Sequence, residues 1–185
     1  AEELVARAAR FDMPALALTD HNCMSGAVRF QKAARAAGIK AIQGVEITLD
    51  NGTHLTLLAK NPRGYASLCR LVSRAHLDNP RGEPGASFEA LLTLEEVIIM
   101  SGCRRGELAS LILQGRCREA AELASHYKDL WGDNFYIELQ DNLLPGNHLL
   151  NQSLLELARA MDIKPVATNN VHYASREDFV LHDIL

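Results

Sequence analysis

Four short apolar runs in this sequence stop on side chains that can bind cations. Pro14-Ala-Leu-Ala-Leu-Thr-Asp-His21 ends on an acid and an imidazole, and Ile39-Lys-Ala-Ile-Gln-Gly-Val-Glu46 ends on a carboxylate. Val97-Ile-Ile-Met-Ser-Gly-Cys103 ends on a thiol, and Pro165-Val-Ala-Thr-Asn-Asn-Val-His172 on an amide and an imidazole. Oxygen, nitrogen and sulfur donors gathered at one rim suit Zn²⁺ or Mn²⁺ better than Mg²⁺, which avoids sulfur and prefers oxygen. In the first run His21 is the candidate ligand and Asp20 the acid that would orient it. His54 opens a further strand-like stretch and carries a donor of the same kind.

Each residue also has a plainer role available. Asp20 would cap the following helix, a common task for an acid at that place, and His21 would be a solvated loop residue. Glu46 would be a surface charge at a strand end, and His54 an exposed residue beside a turn. Cys103 would be a small buried apolar residue, the commoner fate of a free thiol. Asn170 would form a turn, and His172 would bond a backbone carbonyl. These roles share no reason to recur at strand ends, whereas a metal site supplies one. The sequence holds no HExxH, P-loop or GxSxG motif, so protease, nucleotide-triphosphatase and α/β-hydrolase readings have nothing behind them. His76, His126, His148 and His182 fall in predicted helices or loops and read as bystanders.

The elements around these residues alternate. A helix over 2–10 precedes a buried strand over 14–19, and Ser25 is placed to cap a helix that runs to Gly38. A strand over 39–45 follows. Asn51-Gly52 is a hairpin turn signal, so His54 to Ala59 is read as the returning strand. Helices are expected over 64–77, 87–92, 107–113, 118–130 and 151–161, with strands over 96–100, 135–139 and 166–168. Asn79 to Gly85, rich in Pro and Gly, is the expected flexible loop. Such alternation implies a parallel sheet with crossover helices, and functional side chains then emerge at the carboxyl ends of the strands.

Composition narrows the function. With 185 residues and 48% hydrophobic content the chain can bury one sizeable core, and no apolar run approaches a membrane span. A formal charge of -4, from 19 basic and 23 acidic residues, argues against a domain that grips a phosphate backbone by itself. Cys23, Cys69, Cys103 and Cys117 are scattered without a CxxC pair, which fits a reducing cytoplasm. Ala1 falls inside a helical pattern, and the helix beginning at Arg176 reaches Leu185 without a stop signal. The expectation is an internal piece of a longer protein, its first strand upstream and further domains downstream.

Taken together, Leu18-Thr-Asp-His21, Gly44-Val-Glu46, His54-Leu-Thr-Leu-Leu-Ala59, the stretch from Leu68 to Leu77, Ser101-Gly-Cys103, Tyr136-Ile-Glu-Leu-Gln140 and Ala167-Thr-Asn-Asn-Val-His-Tyr173 resemble the PHP (polymerase and histidinol phosphatase) domain. Among its branches the pattern is similar to the PHP domain at the N-terminus of the bacterial DNA polymerase III alpha subunit, the C-family polymerase. Asn-Asn-Val-His and Ser-Gly-Cys-Arg-Arg-Gly look more like the error-prone, translesion branch. The resemblance implies an α/β fold, a distorted parallel β/α barrel with metal at the carboxyl ends of its strands, and it spans residues 1–185. By position, it implies His21, Glu46, His54, Cys103 and His172 as metal ligands. The family's opening His-x-His is absent from this sequence, and Asn170 stands where metal-competent versions carry Asp.

The resemblance therefore implies one domain of a template-directed DNA polymerase serving replication, translesion synthesis or repair. Its role there would be structural, with a metal-dependent phosphoesterase function attached. The nucleotidyl transfer would need Mg²⁺ held by acids outside this chain. Partners would be the remaining polymerase domains, DNA through those domains, and other replisome or mutasome subunits. A stand-alone phosphatase of the histidinol-phosphate type is the alternative, and a purely structural module a third reading. No catalytic residue is assigned. The first structural expectation is convergence: the five candidate ligands should meet on one rim, and Glu46 and His172 at opposite ends of the sheet would end the metal argument.

Overall fold

The structure is a computed structural model that describes residues 1–182. Residues 183–185, which end the helix expected from Arg176, lie outside that description, as do the side chains of Arg176, Leu181 and His182. Six strands lie side by side in chain order: β1 (Ala15–Leu18), β2 (Lys40–Thr48), β3 (His54–Ala59), β4 (Val97–Met100), β5 (Phe135–Gln140) and β6 (Lys164–Thr168). β1 pairs parallel with β2, and β4, β5 and β6 pair parallel in turn. β3 alone is reversed, antiparallel to both neighbours, because the turn at Asn51-Gly52 folds it back on β2. The result is a curled half-barrel of the α/β class, parallel except at that hairpin.

The alternation of side chains across each strand explains why this sheet has two unlike faces. Val45, Ile47, Leu55, Leu57, Val97, Ile99, Phe135 and Ile137 all belong to the main core. That core is closed by residues of α3 (Pro62–Leu77), α5 (Glu107–Leu113), α6 (Cys117–Trp131) and α7 (Asn147–Ala160), among them Leu68, Leu108, Tyr127 and Leu154. The intervening positions carry Gly44, Glu46 and Thr48 on β2, His54 and Thr56 on β3, and Tyr136, Glu138 and Gln140 on β5. One face of the sheet is therefore hydrophobic and packed under helices, and the other carries the polar chemistry. A smaller core of Val5, Ala8, Phe30, Ala34 and Ile39 joins α1 (Glu2–Arg10) and α2 (Ala27–Ala36) to the β1 side.

Local signals account for the helix ends. α1 carries Glu2 and Glu3 in its first turn and Arg7 and Arg10 in its last, charges that match the helix dipole. Asn61 caps α3, its side chain accepting from the N–H groups of Arg63 and Gly64, with Pro62 at the first helical position. Ser87 caps the short α4 (Phe88–Leu91) by accepting from Ala90 N–H. The cap expected from Ser25 is not formed. α2 begins after Gly26, with no side-chain cap, while Ser25 bonds Cys23.

Two further expectations need correction. β1 is not a fully buried strand: Ala15, Leu16 and Leu18 are half-buried and Ala17 is exposed, because β1 has a partner on one side only among the described residues. β2 continues to Thr48 instead of stopping at Val45, so Glu46 lies inside the strand opposite Thr56.

The core makes a direct test possible. Leu57 is fully buried at 0% exposure, so Leu57→Ala should cost about 2–5 kcal/mol of unfolding free energy. Val28, on α2 at 62% exposure, should lose no more than about 0.5 kcal/mol as Val28→Ala. Urea denaturation of the two variants beside the parent measures the contrast.

Candidate metal centre

Because only β3 is reversed, the carboxyl ends of β1, β2, β4, β5 and β6 share a rim with the amino end of β3. His54 is the first residue of β3 and pairs in register with Thr48 near the end of β2. His21 follows β1 and forms an isolated parallel bridge with Glu46, which resumes the β1–β2 pairing after a break. Cys103 comes just after β4. The chain turns there at Gly102, whose φ is +84°, and passes so close to β3 that a Cβ at Gly102 would lie 2.2 Å from the His54 carbonyl oxygen. Only glycine permits that approach, which seats Cys103 beside His54.

His21, Glu46 and His54 each offer a ligand atom, and these atoms lie within 4.8 Å of one another. Glu46 Oε1 is 3.1 Å from His54 Nδ1 and 4.0 Å from His21 Nε2. Cys103 Sγ lies 3.8 Å from His54 Nδ1, at the edge of the group. His172 and Asn170 are both exposed, in the segment beyond the carboxyl end of β6. His21, Glu46 and His54 are the residues brought together in the described cluster, with Cys103 adjoining.

Burial governs the protonation of this group. It pushes the His54 imidazole below its ordinary value, partly countered by the Glu46 carboxylate and reinforced by Arg105 and His21. Burial likewise pushes the Cys103 thiol up to about 11, with Glu46 and Glu138 adding to the rise. Cys103 is therefore a thiol at neutral pH, and it becomes a ligand only when a cation displaces its proton. His54 Nε2 is buried without a hydrogen-bond partner, while Nδ1 is the ring nitrogen beside Glu46 and Cys103. Two imidazoles, a carboxylate and a nearby thiol form a donor set suited to a borderline cation such as Zn²⁺ or Mn²⁺.

Several residues around the cluster were not anticipated. Asn22, next to His21, is buried and bonds Thr48 through both ends of its amide. Thr48 Oγ1 lies 2.8 Å from His21 Nε2. His76, read as a bystander, donates from Nε2 to the Asn22 carbonyl at 2.8 Å. Glu138 is buried on β5, where its N–H donates to Ser101 Oγ and its Oε1 accepts from Thr168 and Gln140, while Oε2 has no partner. Thr48 and Glu138 were open to detection by alternation, lying on the polar face of β2 and β5. Asn22 and His76 come together only in space. Asp20 enters through its backbone, its carbonyl accepting from Glu46 N–H at 3.2 Å.

Comparison with known proteins bears on this arrangement. The family model described as the PHP domain matches residues 1–142. The chain is 49% identical over 201 aligned residues to an error-prone DNA polymerase of Symbiobacterium thermophilum, covering 100% of this chain and 18% of that protein. It is 42% identical to the DNA polymerase III subunit alpha of Treponema pallidum, covering 100% of this chain and 17% of that protein. The chain thus spans less than a fifth of the length of these relatives. In fold it is similar to an amidohydrolase from Chromobacterium violaceum, with a TM-score of 0.64 at 16% identity, covering 96% of this chain and 83% of the other. A Bifidobacterium adolescentis protein named as a metal-dependent phosphoesterase aligns with a TM-score of 0.61 at 13% identity, covering 95% and 82%. No helix among the described residues is long and apolar enough to cross a membrane.

The lowered pKa of His54 sets a pH dependence. The unfolded chain takes up its proton near 6.5, at higher pH than the folded one, so the contribution of His54 is complete above that pH. It is lost as the pH falls through the folded value. In metal-free protein, urea stability should drop on acidification from pH 7.5 to 5, and His54→Asn should show a shallower drop. Equal slopes for the two proteins would show that His54 titrates as it does in the unfolded chain.

Proposed function

This chain belongs to the PHP domain family, and on that footing we propose that it serves as the PHP domain of a bacterial template-directed DNA polymerase of the alpha-subunit kind. The observation that carries this reading is similarity along the whole chain to two such polymerases, at 49% and 42% identity. Nucleotidyl transfer would reside in domains beyond this chain, with Mg²⁺ held by their acids. Those domains are the nearest partners in this reading. DNA is reached through them, as the chain's charge of -4 favours. Replisome or mutasome subunits complete the set, in the cytoplasm.

Within that protein the rim cluster is proposed as a centre for Zn²⁺ or Mn²⁺, held by His21, Glu46 and His54, with Cys103 and His172 as the further donors. A cation there would polarise a phosphoryl oxygen and acidify a bound water, the chemistry of phosphoester hydrolysis. The chain's own residues hold and orient. Glu46 supplies the negative charge, His54 stays neutral through burial, and the Gly102 turn keeps Cys103 within reach of His54. What supports this reading is the close approach of three donors from three separate strand ends.

Two measurements test it. Titration of metal-free 185-residue chain with Zn²⁺ or Mn²⁺ should reveal weak binding without phosphodiesterase turnover, since the family's His-x-His is not in this sequence. Glu46→Gln and His54→Ala should each weaken binding by at least about 10–100-fold, the loss that even outer residues of metal sites cause. Unchanged affinity in both variants would remove the centre from this rim. In the full-length protein, Asn170→Asp would add a charged oxygen donor on the same rim. It should tighten metal binding and raise phosphoester hydrolysis, while primer extension with Mg²⁺ and deoxynucleotides changes little. Equal affinities would exclude position 170 as a ligand, and a full-length protein unable to extend primers would overturn the polymerase reading.

A further inference from the structure

We propose that the Thr48 hydroxyl caps the cation-facing nitrogen of His21 and that a cation binds this centre only by displacing it. The inference rests on the metal reading above and adds a device that sets its affinity.

The hydrogen bonds assign the protons. Asn22 Oδ1 accepts from Thr48 N–H at 2.8 Å, which orients the amide and makes Nδ2 the donor end. Nδ2 donates to Thr48 Oγ1 at 2.9 Å. The hydroxyl proton of Thr48 then has one protein acceptor among its described partners, His21 Nε2 at 2.8 Å. Asn22 Nδ2, also a donor, stands 3.3 Å from the same nitrogen. In the proposed cap Nε2 is the acceptor, its lone pair is engaged, and the proton of the neutral ring sits on Nδ1. Nε2 is also the atom 4.0 Å from Glu46 Oε1, so the capped nitrogen is the one that faces the cluster.

The cap is built rigidly. Asn22 is 5% exposed and adopts φ +52°, a left-handed conformation that Asn tolerates better than most residues. Its N–H donates to the Glu46 carbonyl at 2.8 Å, and its carbonyl accepts from His76 Nε2–H at 2.8 Å, which ties the turn to α3. Burial does not demand the cap, for the His21 side chain is 50% exposed and water would serve its nitrogen equally. The arrangement holds the lone pair in the tautomer a cation needs and occupies it at the same time. With Asn22 holding both partners, occupation outweighs orientation.

The test compares metal-free parent, Thr48→Val, Thr48→Ala and Thr48→Ser in the 185-residue chain, titrated calorimetrically with Zn²⁺ and with Mn²⁺. A net hydrogen bond is worth about fivefold in an equilibrium, so Thr48→Val and Thr48→Ala should bind about fivefold more tightly. Thr48→Ser, which keeps the hydroxyl, should stay within about twofold of the parent on the same scale. Nitrogen NMR of the metal-free parent should show His21 protonated at Nδ1. Equal or weaker binding by Thr48→Val and Thr48→Ala, or a proton on Nε2, would overturn the cap while leaving the metal centre standing. If neither parent nor variants bind either cation, the metal centre itself fails, and the cap with it.

Discussion

Two backbone hydrogen bonds carry this site. Glu46 N–H donates to the Asp20 carbonyl and Asn22 N–H to the Glu46 carbonyl, so the loop after β1 is laced to the last residues of β2. Without them His21 would swing with an ordinary strand-to-helix loop. With them, the imidazole stands opposite the Glu46 carboxylate, and the hairpin register brings His54 in from the other side. Three donors from distant parts of the chain meet because β2 is longer than its apolar run. Glu46 there pairs on both edges at once, with His21 and with β3, and Thr48 meets the Asn22 side chain on one edge and His54 on the other.

The polar face of the sheet is the expensive part of this fold. A buried imidazole nitrogen and a buried carboxylate oxygen are left without partners, in His54 and Glu138, and such groups cost stability unless something satisfies them. The opposite face offsets that cost. There Tyr127, Trp131 and Phe135 interlock, with ring centroids 4.9–5.9 Å apart, above the fully buried Ile137 and Leu57. Tyr127 keeps its hydroxyl satisfied by donating to Glu107 Oε2 at 3.0 Å. A sheet so anchored on one side can hold strained or unpaired groups on the other, the usual distribution at sites built for ligands.

Relatives several times longer than this chain give the geometry a context. A domain whose rim gathers cation donors while its net charge is negative is poorly suited to hold a phosphate backbone by itself. Asn170 and His172 follow the carboxyl end of β6 on an exposed segment, which the edge of the half-barrel does not enclose.

Much of the fold was legible in the sequence, for reasons of short range. Apolar periodicity placed α1 over 2–10, α5 over 107–113 and β3 over 54–59, and Asn51-Gly52 announced the reversal that brings His54 to the rim. His21, Glu46 and Cys103 stood out as donors at the ends of apolar runs, and His54 as a donor at the start of one. What only the tertiary structure decided depends on register and close approach. Whether Glu46 ends a strand or sits within one rests on which residues it pairs with, since pairing energy comes from partners remote in sequence. The roles of Asn22, Thr48 and His76 arise from a hydrogen-bond network that spans 54 residues, with no periodic trace along the chain. The exposure of His172 follows from the path of the chain after β6, which lies at the edge of the sheet where no strand closes over it among the described residues.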